Sequence, residues 1–116
     1  LYSEEFYQAC YAGLSENGIL IAQSESPLFH KDLIHSMQSR MASVGFKDAT
    51  TFFFPQCTYP SGWWSASMAF KTGKPVEFRA VDIETEYYNN DIHQAAQAMP
   101  QFMRKVSRSE STSKGE

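Results

Sequence analysis

Apolar side chains recur at intervals of four through Phe6, Cys10 and Leu14, a spacing that places them on one stripe of a helix. Ser3 stands ahead of them as a cap for free amide groups, and Glu4 and Glu5 suit the positive end of the helix dipole. Asn17-Gly18 predicts the stop, with Gly18 suited to a left-handed position after the last turn. Four consecutive apolar residues follow, Ile19-Leu20-Ile21-Ala22, and they do not alternate. Such a run predicts a central strand covered on both faces, as in a parallel sheet, that ends in the polar loop Gln23-Ser24-Glu25-Ser26-Pro27. Leu33, Met37, Met41 and Val44 then share one face of a helix running from about His30 to Val44, with Gly45 closing it. Thr50 to Phe54 is β-prone, and Pro55 to Gly62 is turn-like. Beyond the turn, Trp64, Ala66, Met68 and Phe70 alternate with Trp63, Ser65, Ser67 and Ala69, a strand period with rings on one side. Residues 76 to 90 are expected to be extended and then irregular, Asp91 to Ala98 a short helix, and Pro100 the start of another running to about Val106. The polar stretch 107–116 reads as a disordered tail.

The order helix, strand, helix, strand, strand, helix makes the chain α/β, but an incomplete α/β unit. A parallel strand at Ile19 needs a crossover from an earlier strand, and nothing before Leu1 supplies one. The chain opens on Leu1 and enters a helix at once, so the expectation is a piece of something larger.

With 116 residues the chain holds one domain at most, and its 42% hydrophobic content is too high for a disordered protein. Its formal net charge of −3 argues against a nucleic-acid partner, which calls for a basic excess. No apolar run approaches the ~20 residues that span a bilayer, so no membrane partner is expected. Cys10 and Cys57 are too few for a disulfide scaffold and fit a reducing, cytoplasmic compartment. Glycine-rich phosphate loops, nucleophile elbows and zinc-helix signatures are missing. His30 and His35 are five apart on one helix and so point about 140° away from each other, which excludes a histidine metal set there. Aromatic residues reach 15%, and rings at that density must be buried or presented to a ligand.

Two stretches can carry chemistry. In Pro55-Gln56-Cys57-Thr58-Tyr59-Pro60-Ser61-Gly62-Trp63-Trp64, a tyrosine and two tryptophans are held by Pro and Gly in a rigid turn. Their faces can wall an aliphatic or cationic ligand; equally, one Trp can be core and Tyr59 a turn residue. In Gln23-Ser24-Glu25, the carboxylate can receive an amine that Gln23 orients by hydrogen bonds, or the stretch is a solvated loop with a helix cap at Ser26.

Four segments in series resemble the C-terminal half of spermidine synthase, a polyamine aminopropyltransferase. They are Leu1 to Tyr7, Gly18 to Pro27, Thr58-Tyr59-Pro60-Ser61-Gly62-x-Trp64, and Tyr87-Tyr88-Asn89-x-x-Ile92-His93-x-Ala95 with Met99-Pro100. The resemblance covers residues 1–106 and implies the C-terminal half of a Rossmann-like fold of the class I methyltransferase type, incomplete without upstream residues. It further implies transfer of an aminopropyl group from decarboxylated S-adenosylmethionine, a co-substrate and not a tightly bound cofactor, to putrescine or another small polyamine. By the family pattern Tyr59 reaches the reacting amine, Trp64 lines the diamine's aliphatic stem and Gln23 lies near the polyamine pocket. Trp63 stands where a smaller apolar residue is common, which bears on the shape of that pocket. The donor-binding loop and the catalytic aspartate are expected upstream of Leu1, so this chain would hold no catalytic base. The expected partners are the N-terminal half of the same enzyme, as a separate chain or cleaved piece, and further copies in a dimer or tetramer. The alternatives are a non-catalytic binding or interaction module that keeps the fold without the donor site, and a related methyltransferase-fold enzyme with another acceptor.

Overall fold

The first helix, α1 (Glu4–Gly13), begins where the sequence places a hydroxyl before two carboxylates: Ser3 Oγ accepts from Phe6 N at 3.2 Å. The computed structural model describes residues 3–74, 79 and 82–104. α1 ends earlier than Asn17-Gly18, and its last carbonyls are taken by other groups. Leu14 N returns to Cys10 O, and Lys71 Nζ donates to Leu14 O at 2.6 Å while lying 4.9 Å over the Tyr11 ring. Gly18 is not left-handed; among the described residues the left-handed glycines are Gly45, Gly62 and Gly73. Its need for glycine is steric, since a Cβ there would sit 2.7 Å from Leu14 Cβ.

The elements continue as β1 (Ile19–Gln23), α2 (Lys31–Val44), β2 (Lys47–Pro55), β3 (Trp63–Phe70) and α3 (Asn90–Ala96), the order that the hydropathy pattern predicts. A helical turn at 101–104 follows Pro100, whose carbonyl accepts from Met103 N. The short helix thus starts and stops a residue or two before the expected Asp91–Ala98, with Asn89 Oδ1 capping Ile92 N at 2.7 Å. The expected disordered tail at 107–116 lies outside the described residues.

The three strands form one sheet in the order β1-β3-β2, with both pairings antiparallel. Among the described residues β1 is therefore an edge strand and not a central parallel one. Its two faces also differ. Leu20 and Ala22 pack on the core, whereas Ile19 and Ile21 are 47% and 55% exposed. An apolar run reports only that both faces avoid charge; it does not say which neighbour covers each.

α1 and α2 cover one face of the sheet. Tyr7, Met37, Met41, Phe46 and Ala69 form the centre of one cluster there, and Ile34, Phe53 and Met103 form a second. On β3 the core side is the small and hydroxylated one, with Ser65, Ser67 and Ala69 fully buried. Trp64, Ala66 and Met68 lie on the other face, where α3 reaches β2 through the His93–Phe52 ring contact at 5.0 Å. That arrangement leaves one end of the second face open, and the candidate site sits there.

Candidate functional site

The 56–62 loop joins β2 to β3 and closes on itself: Gln56 N donates to Gly62 O, and Gly62 N donates to Tyr59 O at 3.1 Å. Tyr59-Pro60-Ser61-Gly62 is thus a hydrogen-bonded β-turn with proline at its second position and φ 74 at Ser61, the pattern of a type II turn. Glycine or asparagine normally takes the third position, so serine there is strained. Its side chain compensates through three contacts. Ser61 Oγ meets Ser26 Oγ at 2.8 Å, donates to Trp63 O and accepts from Trp63 N.

Held in this way, the turn lays the Tyr59 ring on Trp64, with centroids 4.4 Å apart and planes at 25°. Trp64 Nε1 in turn donates to Gln23 Oε1 at 3.0 Å. The structure therefore brings together Gln23, Tyr59 and Trp64, although Gln23 and Trp64 stand 41 positions apart in the chain. Tyr59 is 44% exposed, so the stack forms an open wall. The indole N–H can only donate, which fixes the orientation of Gln23: its carbonyl faces Trp64, and its amide N–H groups remain for another acceptor.

Trp63 is not part of this wall. Strand alternation turns it to the opposite face, where it packs against Phe53 at 5.7 Å and Phe102 at 5.9 Å beside the Ile34–Met103 cluster. It packs with the core and not with the Tyr59–Trp64 stack. The core reading of the aromatic turn thus applies to Trp63, while Trp64 stays on the open face with Tyr59. Cys57 is an exposed free thiol in the loop, and Cys10 is half-buried on α1. The histidines work locally: His35 Nε2 donates to Met103 O, His93 shares a hydrogen bond with Tyr88 Oη, and His30 precedes α2 without a side-chain cap bond.

Ser26 does not cap α2. It is buried in the turn before it, where its Oγ accepts from Leu28 N and Phe29 N and meets Ser61. This clasp ties the loop after β1 to the loop before β3. Neither this clasp nor the burial of Ser24, Ser65 and Ser67 is legible in the pattern of apolar positions, because lone serines give no hydropathy signal. Their recurrence at every second position, 24 and 26 on one strand end and 65 and 67 on another, is the trace they leave. Glu25 lies between the two serines with φ 62. Of the three non-glycine residues with positive φ among the described residues, Glu25 and Ser61 are both in these loops, while Asp48 marks the irregularity in β2.

Comparison with known proteins agrees in sequence and in fold. The family profile of the spermine/spermidine synthase domain matches residues 1–80. The polyamine aminopropyltransferase of Methylococcus capsulatus is 52% identical over 88% of this chain, and that of Nitrosococcus oceani is 46% identical over 94%. The chain spans 37% and 39% of the lengths of those two relatives. The crystal structure of spermidine synthase from Thermotoga maritima superposes with a TM-score of 0.80 at 35% identity, over 90% of this chain and 38% of that one. A spermidine synthase in complex with the transition-state analogue AdoDATO superposes equally well, with a TM-score of 0.80 at 35% identity. With a matching family profile over most of its length and the same α/β, methyltransferase-like arrangement, the chain belongs to the spermine/spermidine synthase domain family.

Proposed function

We propose that this chain is part of an aminopropyltransferase of polyamine biosynthesis and carries one side of its amine-acceptor pocket. The donor in this reading is decarboxylated S-adenosylmethionine, and the acceptor is putrescine or a similar small diamine. The observation that supports it most is the Tyr59–Trp64 stack anchored on Gln23, three groups from two distant segments converging at one open rim.

The reaction is a displacement at carbon. The amine nitrogen attacks the donor's aminopropyl carbon, the carbon–sulfur bond breaks, and sulfur keeps the electron pair as the thioether of methylthioadenosine. A protonated amine has no lone pair, so one proton must leave the attacking nitrogen. The aspartate that takes it belongs, on the family pattern, to the part of the enzyme upstream of Leu1. The residues of this chain position the acceptor. The rings of Tyr59 and Trp64 pack against a methylene stem and attract its cationic end. Gln23, with its carbonyl engaged by the indole, holds the Trp64 ring in place, and the lone pair of the attacking nitrogen stays free for the donor carbon. Holding that nitrogen in line with the donor carbon is where such contacts act on rate.

The partner this reading requires is the donor-binding portion of the same enzyme. Ile19 and Ile21, exposed on the edge strand, are the apolar seat on which it would pack. We place the assembled enzyme in the cytoplasm as a homo-oligomer. No helix among the described residues is long and apolar enough to cross a membrane.

The test is transfer of label. The full-length protein carrying this segment, given decarboxylated S-adenosylmethionine labelled in the aminopropyl group, should deliver label to spermidine when putrescine is added. Transfer to no diamine overturns the reading. Tyr59→Phe and Trp64→Ala should each raise KM for the diamine while leaving KM for the donor unchanged.

A further inference from the structure

Beneath the candidate wall, on the helix-covered face of the sheet, four buried hydroxyls form a continuous chain. Gln38 Nε2 on α2 donates to Thr51 Oγ1 on β2. Thr51 Oγ1 meets Ser67 Oγ on β3 at 3.2 Å, and Ser67 Oγ donates to Ser24 Oγ at 3.0 Å. Ser24 Oγ meets Ser65 Oγ at 2.7 Å, and Ser65 Oγ donates to the carbonyl of Glu25 at 2.7 Å. Ser24, Ser65 and Ser67 are fully buried, and Thr51 nearly so.

The two ends fix its direction. A carbonyl can only accept, so the Ser65 proton goes to Glu25. Ser24 must then spend its proton on Ser65, Ser67 on Ser24, and Thr51 on Ser67. Thr51 has no second proton, so Gln38 has to present its N–H and not its oxygen. Every hydroxyl donates once and accepts at least once, and no alternative arrangement satisfies all five bonds. The chain runs from the middle of α2, through β2 and β3 and the residue just past β1, to one backbone carbonyl.

That carbonyl belongs to Glu25, whose φ of 62 is left-handed and costs free energy unless its surroundings enforce it. The sheet register sets its place. Gln23 pairs with Ala66, and Ser24 N donates to Ser65 O, so Glu25 comes level with Trp64. The end of the relay therefore holds the one acidic residue of this strand end beside the Gln23–Trp64–Tyr59 wall.

We propose that Ser65 and Ser24 are positioning residues of the acceptor site: through the Glu25 carbonyl they fix how far the Glu25 carboxylate stands from the aromatic wall, and so which length of diamine is accepted. This rests on the acceptor-pocket reading above. A diamine is recognised at its two ends, and a carboxylate free to shift along the rim would accept longer and shorter chains alike.

The experiment compares two variants of the full-length protein. Ser65→Ala removes the last link; Thr51→Val removes a link of the same kind at the far end and leaves Ser65 bonded to Glu25. The measurements are kcat/KM for 1,3-, 1,4- and 1,5-diamines, KM for the donor, and thermal stability. Ser65→Ala should raise KM for the preferred diamine about tenfold, the scale of one lost hydrogen bond, flatten the preference among lengths, and leave KM for the donor unchanged. Thr51→Val should lower the melting temperature comparably and keep the preference. An unchanged preference in Ser65→Ala, or an equal loss in both variants, overturns the proposal and leaves the relay a purely structural feature. If Ser65→Ala does not fold, Ser65→Cys, a near-isostere with a poorer donor, decides on the same criteria. A wild-type protein that transfers to no diamine refutes the acceptor-pocket reading itself, which is a different result from transfer with unaltered selectivity.

Discussion

Trp63 and Trp64 are adjacent in the chain and separated by the thickness of a sheet. One packs on Phe53 and Phe102; the other stacks under Tyr59 and binds Gln23. Truncating them should therefore fail in different ways. Trp63→Ala should cost about 2–4 kcal/mol of stability through the cavity it leaves, with diamine KM little changed. Trp64→Ala should keep most of the stability and lose amine affinity. Calorimetric melting alongside steady-state kinetics separates the two. Alternation alone makes the two rings face opposite ways, so this split was legible in the sequence. Which ring faces the core was not, because the buried side of β3 is the serine side, and serine reads as solvent-facing until its partners are known. Ser61 makes the same point. Its turn could be read from Tyr-Pro-Ser-Gly, but its positive φ and its bond to Ser26 could not. Ser61→Ala keeps the strain and removes the clasp, and should lower stability by about 1–2 kcal/mol, measured by urea denaturation. Ser61→Gly should recover part of that loss by relieving the backbone.

At the level of elements, β1 shows where pattern reading stops. Ile19 to Ala22 was rightly a strand, but the cover expected on both faces is found on one only, since Ile19 and Ile21 stand exposed. Direction and neighbours depend on residues far along the chain, here Ala66 to Phe70 in antiparallel register. The second edge of β1 is unpaired among the described residues, with Ile19 and Ile21 exposed beside it. Bare strand edges with apolar flanks recruit other strands. The 116-residue chain alone should self-associate, visible by light scattering, and Ile21→Lys should shift it toward monomer. A sharply melting monomer of the unaltered chain would contradict this. α1 and α2 were the most legible elements, since the cap of α1, the stripe of each at helical spacing and the closing Gly45 of α2 are local properties.

For the molecule as a whole, the chain spans little more than a third of the relatives it matches. Co-expression with the remainder of the full-length protein should replace the self-associated species by a defined complex in size-exclusion chromatography. In that complex the seat at Ile19 and Ile21 should gain protection from hydrogen exchange. Persistence of the aggregate beside an unbound remainder would count against the seat. The pairing of β1 with β3, which passes over β2, also has a consequence in time. β2 and β3 are joined by the short 56–62 loop, so their hairpin closes at small entropic cost, whereas Gln23 and Trp64 are 41 positions apart and must close a long loop. Tyr59 and Trp64 should thus meet early in folding, and Gln23 should arrive late. Substitutions in the hairpin core, such as Phe53→Leu, should slow refolding, while Leu20→Ala in β1 should chiefly speed unfolding, as stopped-flow chevrons would show. On that order the Tyr59–Trp64 stack is assembled in a first act, and its polar anchor, Gln23, comes in the second.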